Sequence, residues 1–267
     1  MSQRGETLDV ARTDGVVTVT INRPEKKNAL DTPTFAALQR VFREVEAAED
    51  DRVLVVTGAG GDFCSGADLS SAADPSEHPL DRMRRIHDVA LTLHRMSVPT
   101  IAKVSGVAVG AGWNLALGCD LVLAAEDARF SQIFAKRGLS LDFGGSWLLP
   151  RLIGLHRAKE LALFADMVSA REALDLGLVN RVVPVEELDE LTETWARRLA
   201  EGPPVALSQS KRLLNDALQV TLEQALDAES HAQVANFATA DTAEAFAAFL
   251  EKREPTFTGR SALGGPR

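Results

Sequence analysis

Two glycine-punctuated turns constrain this chain more than any other feature. Phe63-Cys64-Ser65-Gly66-Ala67-Asp68-Leu69 and Gly106-Val107-Ala108-Val109-Gly110-Ala111-Gly112 each follow a β-branched run, and the second opens directly into helix-like Trp113-Asn114-Leu115-Ala116-Leu117. Glycine admits positive φ and close backbone approach, and a helix start leaves N–H groups without intrahelical partners. Two such turns converging on one point can gather backbone donors around an oxyanion. Repeated strand-turn-helix units of this kind predict an α/β core.

Residues 16–21 alternate as a strand, which Asn22-Arg23-Pro24 ends. After Asp31-Thr32-Pro33, a capping-type start, residues 35–48 predict an amphipathic helix. Strands follow at 53–57, 100–104 and 120–124, with a helix at 87–96 and a polar, turn-rich surface loop at 70–79. Beyond Val185 the character changes: residues 186–200, 203–218, 222–237 and 241–252 read as helices with no strand candidate between them. The expected organisation is a core over residues 1–200 and a C-terminal helical region over 201–267, with a small, polar end at 259–267 read as disordered.

At 267 residues, 45% hydrophobic and 25% charged, the chain can bury a large core. No apolar stretch approaches the ~18 residues a membrane span needs, and residues 1–6 lack the apolar core of a signal peptide. Cys64 and Cys119 lie in apolar segments without metal-ligand spacing, which points to a reducing cytoplasm and no metal. A net charge of −9 argues against general nucleic-acid binding but leaves room for a local basic pocket. Gly110-Ala111-Gly112 lacks the third glycine of a dinucleotide fingerprint, since Leu115 stands there. Gly58-Ala59-Gly60-Gly61 is not followed by Gly-Lys-Ser/Thr, and Gly144-Gly145-Ser146-Trp147 lacks the glycine after serine of a nucleophile elbow. His78, His87, His94, His156 and His231 are scattered and read as surface or helix-face histidines.

From about residue 10 to 260 the chain resembles the enoyl-CoA hydratase/isomerase (crotonase) superfamily. The resemblance is carried by Asn22-Arg23-Pro24-Glu25-Lys26-Lys27-Asn28-Ala29-Leu30, the two glycine turns, and the segments 173–183 and 249–253. It implies a spiral of β-β-α units, a C-terminal helical trimerisation region, homotrimers or hexamers, and a coenzyme A thioester as ligand, with no further cofactor. The family's oxyanion donors fall on the backbone N–H groups of Ala67 and Ala111, with Gly66 and Gly110 shaping the two turns. Lys26, Ala29 and Leu30 correspond to the stretch along the coenzyme's phosphates and pantetheine. Asp68 and Leu69 match positions near the adenine pocket, and Phe249 and Lys252 match C-terminal positions that reach a neighbouring subunit's ligand.

The departures bear on the reaction. Hydratases of the family use two glutamates to hold water and move its proton, and here those positions hold Asn114 and Phe134. Neither an amide nor a phenyl ring does that work. Asp142 stands where some isomerases and a dehalogenase of the superfamily carry a catalytic aspartate, and its neighbours Leu141 and Phe143 are apolar. Desolvation there raises a carboxyl pKa toward the range of useful proton transfer. The resemblance is closest to the phenylacetate-pathway branch that isomerises a ring-epoxide CoA thioester. The expected activity is a double-bond shift through the oxyanion hole and Asp142. The alternatives are an enoyl-CoA hydratase of fatty-acid oxidation, a dehalogenase-type reaction and a non-catalytic acyl-CoA-binding protein.

Overall fold

The computed structural model describes residues 3–4, 7–70 and 78–262. Its strands are β1 (Gln3–Arg4), β2 (Leu8–Thr13), β3 (Val16–Ile21), β4 (Val53–Gly58), β5 (Thr100–Val104), β6 (Val107–Val109), β7 (Leu121–Ala125), β8 (Arg129–Ser131), β9 (Val168–Ser169) and β10 (Arg181–Val183). Its α-helices are α1 (Thr32–Ala47), α2 (Pro79–Arg95), α3 (Ala111–Leu117), α4 (Gly145–Ile153), α5 (Leu155–Phe164), α6 (Ala170–Asp175), α7 (Leu188–Ala200), α8 (Pro204–Asp216), α9 (Leu222–Phe237) and α10 (Ala240–Glu251). The main sheet runs β1-β2-β3-β4-β5-β7-β10, and a second layer runs β6-β8-β9. Pairing is antiparallel from β1 to β3 and parallel from β3 to β10.

A parallel sheet is covered on both faces, so its strands read as continuous apolar runs. In β4, Leu54 and Val56 face the larger core, while Val53 and Val55 join Ile101 and Leu123 beneath Leu188 and Ala196 of α7. A repeated path then builds the site. The chain leaves a main-sheet strand, makes a short pairing in the second layer and enters a helix: β5, β6, α3, and likewise β7, β8, α4. After β4 the same step is reduced to a bridge from Cys64 to Ala108. This is the β-β-α spiral expected from the sequence.

Several boundaries differ from the sequence expectation for local reasons. Helix α1 starts at Thr32 because Asp31 caps it, accepting from the Thr34 N–H at 2.9 Å. Helix α2 starts at Pro79, well before residue 87, with His78 Nδ1 accepting from Leu80 N at 3.2 Å. Its first turns are mostly charged and exposed, with Leu80, Met83 and Ile86 as a thin apolar line leading into buried Val89 and Leu93. The rest of the expected surface loop, residues 71–77, lies outside the described residues, as do 263–267 of the expected disordered end. Trp113 is fully buried against Phe130 at 5.2 Å and belongs to the core.

Candidate active site

The two glycine turns meet. Gly66 sits at φ +93°, and an ideal Cβ there would lie 2.8 Å from Val109 O and 3.6 Å from Ala111 N. Only a hydrogen in that place lets the turns approach so closely. Gly112 seals the contact, since a Cβ on it would fall 2.3 Å from Cys64 O. Cys64 is fully buried, which pushes its thiol up to about 12, and its sulfur accepts from Gly66 N at 3.4 Å. Ala111 is the first residue of α3, preceded by Gly110 at φ +57° with its N–H donating to Ser131 O at 2.9 Å. No acceptor among the described residues takes the N–H of Ala67 or of Ala111. Ala67 is exposed and Ala111 buried, so the pair of donors spans the edge of the surface.

The segment ahead of α1 pairs with the first turn. Leu30 N donates to Gly66 O at 2.8 Å and Leu30 O accepts from Asp68 N at 2.9 Å, bringing Ala29 and Leu30 alongside Ala67. Arg23 clamps this layer: it donates to Ala29 O and pairs with Asp68 at 2.8 Å and Asp31 at 3.2 Å. Hydrogen bonds from the Ser70 hydroxyl and from Arg23 hold the Asp68 carboxyl below the ordinary carboxylate range. Buried Asn28 ties the same loop to Ala59 O at 2.8 Å and Asp62 O at 2.6 Å. Lys26 is exposed and reaches Ser70 Oγ at 3.3 Å, and Leu69 is also exposed.

Asn114 and Asp142 form the other half of the site. Asn114 is fully buried; its Oδ1 accepts from Gln132 Nε2 at 2.9 Å and its Nδ2 donates to the backbone oxygen of Asp142 at 2.8 Å. Gly145 packs directly on this amide, because a Cβ there would lie 2.4 Å from Asn114 Nδ2. The chain turns at Asp142 through Phe143 at φ +47° and Gly144 at φ +84°. Phe143 is buried against Phe35 at 6.0 Å, packing that holds a backbone conformation bulky residues avoid. The Asp142 carboxyl is half-buried, its Oδ1 has no hydrogen-bond partner among the described residues, and desolvation pushes its pKa up to about 6. The Phe134 ring lies against Gly110, with Cζ 3.6 Å from where a Cβ of that glycine would be.

Asn114 and Asp142 belong to the wall of a cavity of about 840 Å³, which also includes α2, the 141–148 segment and α8. Ala67 and Ala111 lie outside its lining; α3 carries Ala111 at its start and, three residues on, Asn114 on the cavity. His87 and His94, read as surface or helix-face histidines, both lie on α2 along the cavity. Trp147 also lines it, edge-on to His94 at 5.2 Å. Burial, then nearby Lys211, lowers the His94 pKa. Phe249 and Lys252 stand apart at the end of α10, where Phe249 is 80% exposed and nothing among the described residues joins either one to the site. Arg23 and Gln132 were not singled out from sequence. Arg23 lies inside the quoted Asn22-to-Leu30 motif, whereas Gln132 carries no motif at all.

A family model described as enoyl-CoA hydratase/isomerase matches residues 11–260. The 1,2-epoxyphenylacetyl-CoA isomerase of Escherichia coli (strain K12) is 40% identical over 251 residues, covering 92% of this chain and 96% of that protein. The short-chain-enoyl-CoA hydratase of Clostridium acetobutylicum is 36% identical over 241 residues, covering 90% and 92%. The crystal structure of enoyl-CoA hydratase from Bacillus anthracis matches with a TM-score of 0.91 at 34% identity, over 95% of this chain and 100% of that one. The chain belongs to the enoyl-CoA hydratase/isomerase family of acyl-CoA enzymes and has the fold of the crotonase superfamily.

Proposed function

We propose that the protein is an enoyl-CoA isomerase that shifts a double bond by a one-carboxylate proton shuttle. The thioester oxygen sits between the N–H groups of Ala67 and Ala111, which makes the adjacent carbon acidic and stabilises the enolate formed there. The Asp142 carboxylate takes the proton from that carbon, the double bond moves, and the same acid returns the proton at the γ-carbon. Two oxidation-neutral proton transfers complete the reaction, and no cofactor beyond the substrate's coenzyme A is required. A carboxyl pKa of about 6 suits a group that must both accept and donate near neutral pH.

The observation that carries this reading is the unpartnered, desolvated Asp142 carboxyl on the cavity wall. Asn114, at the position of one hydratase glutamate, is occupied on both sides of its amide and serves to fasten the Asp142 loop. The Escherichia coli relative's name supports an isomerase acting on a ring-derived CoA thioester. Hydratase is the second reading, favoured by the name of the Clostridium relative. Lys26, Ala29 and Leu30 lie along the coenzyme, with Asp68 and Leu69 nearer its adenine end. Exposed Phe237, Phe249 and Leu250 on α9 and α10 suit burial between subunits in a homotrimer or hexamer, where Phe249 and Lys252 would reach a neighbour's ligand.

The test is conversion of a 3-enoyl-CoA to its 2-enoyl isomer beside hydration of crotonyl-CoA, for wild type and Asp142→Asn. Isomerisation lost in the variant, with little hydration in either, supports the proposal. Rapid crotonyl-CoA hydration that survives Asp142→Asn establishes the hydratase reading instead.

A further inference from the structure

Gln132 follows β8 and is fully buried. Its Nε2 donates to Asn114 Oδ1 at 2.9 Å, and Asn114 Nδ2 donates to the backbone oxygen of Asp142 at 2.8 Å. A carbonyl oxygen only accepts, so Asn114 must turn its NH₂ to Asp142 and its own oxygen to residue 132. Residue 132 must then supply a donor. The glutamine that does so leaves its Oε1 buried with no hydrogen-bond partner among the described residues. Stranding a buried acceptor destabilises a fold, whereas apolar groups of the same shape in place of both partners are nearly neutral.

Satisfying the Asp142 carbonyl does not need this chain of amides, because that oxygen already accepts from Gly145 N at 2.9 Å. What the second bond adds is direction. Gly145 closes over the Asn114 amide: a Cβ there would fall within 2.8 Å of its Cγ, Oδ1 and Nδ2. Space fixes where the amide lies, and Gln132 decides which end of it faces Asp142. With no donor at 132 that preference is gone. Turned over, the amide sets oxygen against oxygen and drives the Asp142 loop away. The main chain beside Gln132 reaches the other half of the site. Ser131 O accepts from Gly110 N at 2.9 Å, one residue before Ala111, and Ser131 Oγ donates to Ala165 O at 3.0 Å. Residues 131 and 132 therefore hold the second glycine turn by backbone and the Asp142 turn by side chain.

We infer that Gln132 is a positioning residue: through the orientation of the Asn114 amide it aims the Asp142 carboxylate at the carbons between which the proton moves. It acts on no reacting atom itself. The inference rests on the proposed role of Asp142 and adds the residue that sets its direction. A displacement of about 1 Å at such a group lowers turnover about 10²-fold.

The experiment compares 3-enoyl-CoA isomerisation and urea unfolding for wild type, Asp142→Asn, Gln132→Met, Asn114→Leu and Asn114→Leu/Gln132→Met. Gln132→Met keeps the length of the side chain and exchanges one stranded acceptor, Gln132 Oε1, for another, Asn114 Oδ1. Its urea midpoint should stay near wild type while kcat falls about 10²-fold and KM changes less than about twofold. In the Asn114→Leu background the same substitution should change kcat by less than about twofold, because its effect runs through that amide. A glutamine that merely supports the fold predicts the reverse, a lowered urea midpoint with kcat of the folded protein preserved. That result overturns the inference, as does a Gln132→Met protein that does not fold, or a further loss of about 10²-fold on top of Asn114→Leu. Isomerisation that survives Asp142→Asn overturns the shuttle and this inference together. Isomerisation abolished by Asp142→Asn but unchanged by Gln132→Met overturns this inference alone.

Discussion

Substituting Gly66 by alanine tests whether the convergence of the two turns is catalytic or merely a packing convenience. The added methyl lands 2.8 Å from Val109 O, inside any real carbon-oxygen contact, and φ at this residue is +93°. The local backbone strain is about 1–3 kcal/mol, small enough for a domain of ordinary stability to remain folded. Relief requires the Ala67 turn and the Val109-to-Ala111 segment to move apart, which misplaces both N–H donors at once. Removing one oxyanion donor lowers kcat by roughly 10²–10³, so the variant should lose at least that. The loss belongs in kcat rather than KM, because the donors act chiefly on the enolate. Urea unfolding of the variant, read beside isomerisation kinetics at a temperature where it is folded, separates the two effects. A folded variant with kcat within about twofold of wild type refutes the argument that these amides hold the thioester oxygen.

Asp142 gives a prediction in which stability and function oppose one another. Its folded pKa of about 6 exceeds the ordinary 3.8, so the protonated form is favoured in the native state. That favour is complete below pH 3.8 and is lost as pH rises through 6, leaving a penalty of up to about 3 kcal/mol at pH 7.5. Asp142→Asn should therefore be the more stable protein at pH 7.5, with the gap closing near pH 4; a gap independent of pH in urea titrations contradicts this. In wild type, kcat/KM for isomerisation should rise with pH through about 6, and a flat profile there argues against a carboxylate base. Asn114→Ala strands Gln132 Nε2 and the Asp142 carbonyl, a loss of about 2–5 kcal/mol, and loosens the loop enough to lower kcat about 10²-fold. Retained activity would mean that the loop holds itself. Arg23→Met leaves Asp68 and Asp31 without their cation, for a loss of about 3 kcal/mol by denaturant unfolding; a change within error would show that those carboxylates are sustained by water and Ser70.

What sequence revealed follows from where the physics is local. Strand β3 was visible by its alternation, since Val17, Val19 and Ile21 are buried and the residues between them are only partly so, and β4 and β5 were visible as runs because both sheet faces are covered there. The glycine turns were visible because only glycine satisfies their φ values and contacts. Asp142 stood out through its apolar neighbours, and its burial and raised pKa agree with that expectation. The second-layer strands β6, β8 and β9 are two or three residues long and carry no period to detect. Gln132 and Arg23 matter through partners far along the chain, Asn114 and Asp68, which no local window joins.

One isotope measurement reaches the centre of the account: deuterium uptake from D₂O at the α- and γ-carbons of a 3-enoyl-CoA, followed for wild type and Asp142→Asn. Wild type should label both carbons, and the variant should lose both together by roughly 10²–10⁴-fold, since one side chain serves both positions. Continued labelling at either carbon at the wild-type rate would show a second proton carrier and contradict a single-carboxylate shuttle.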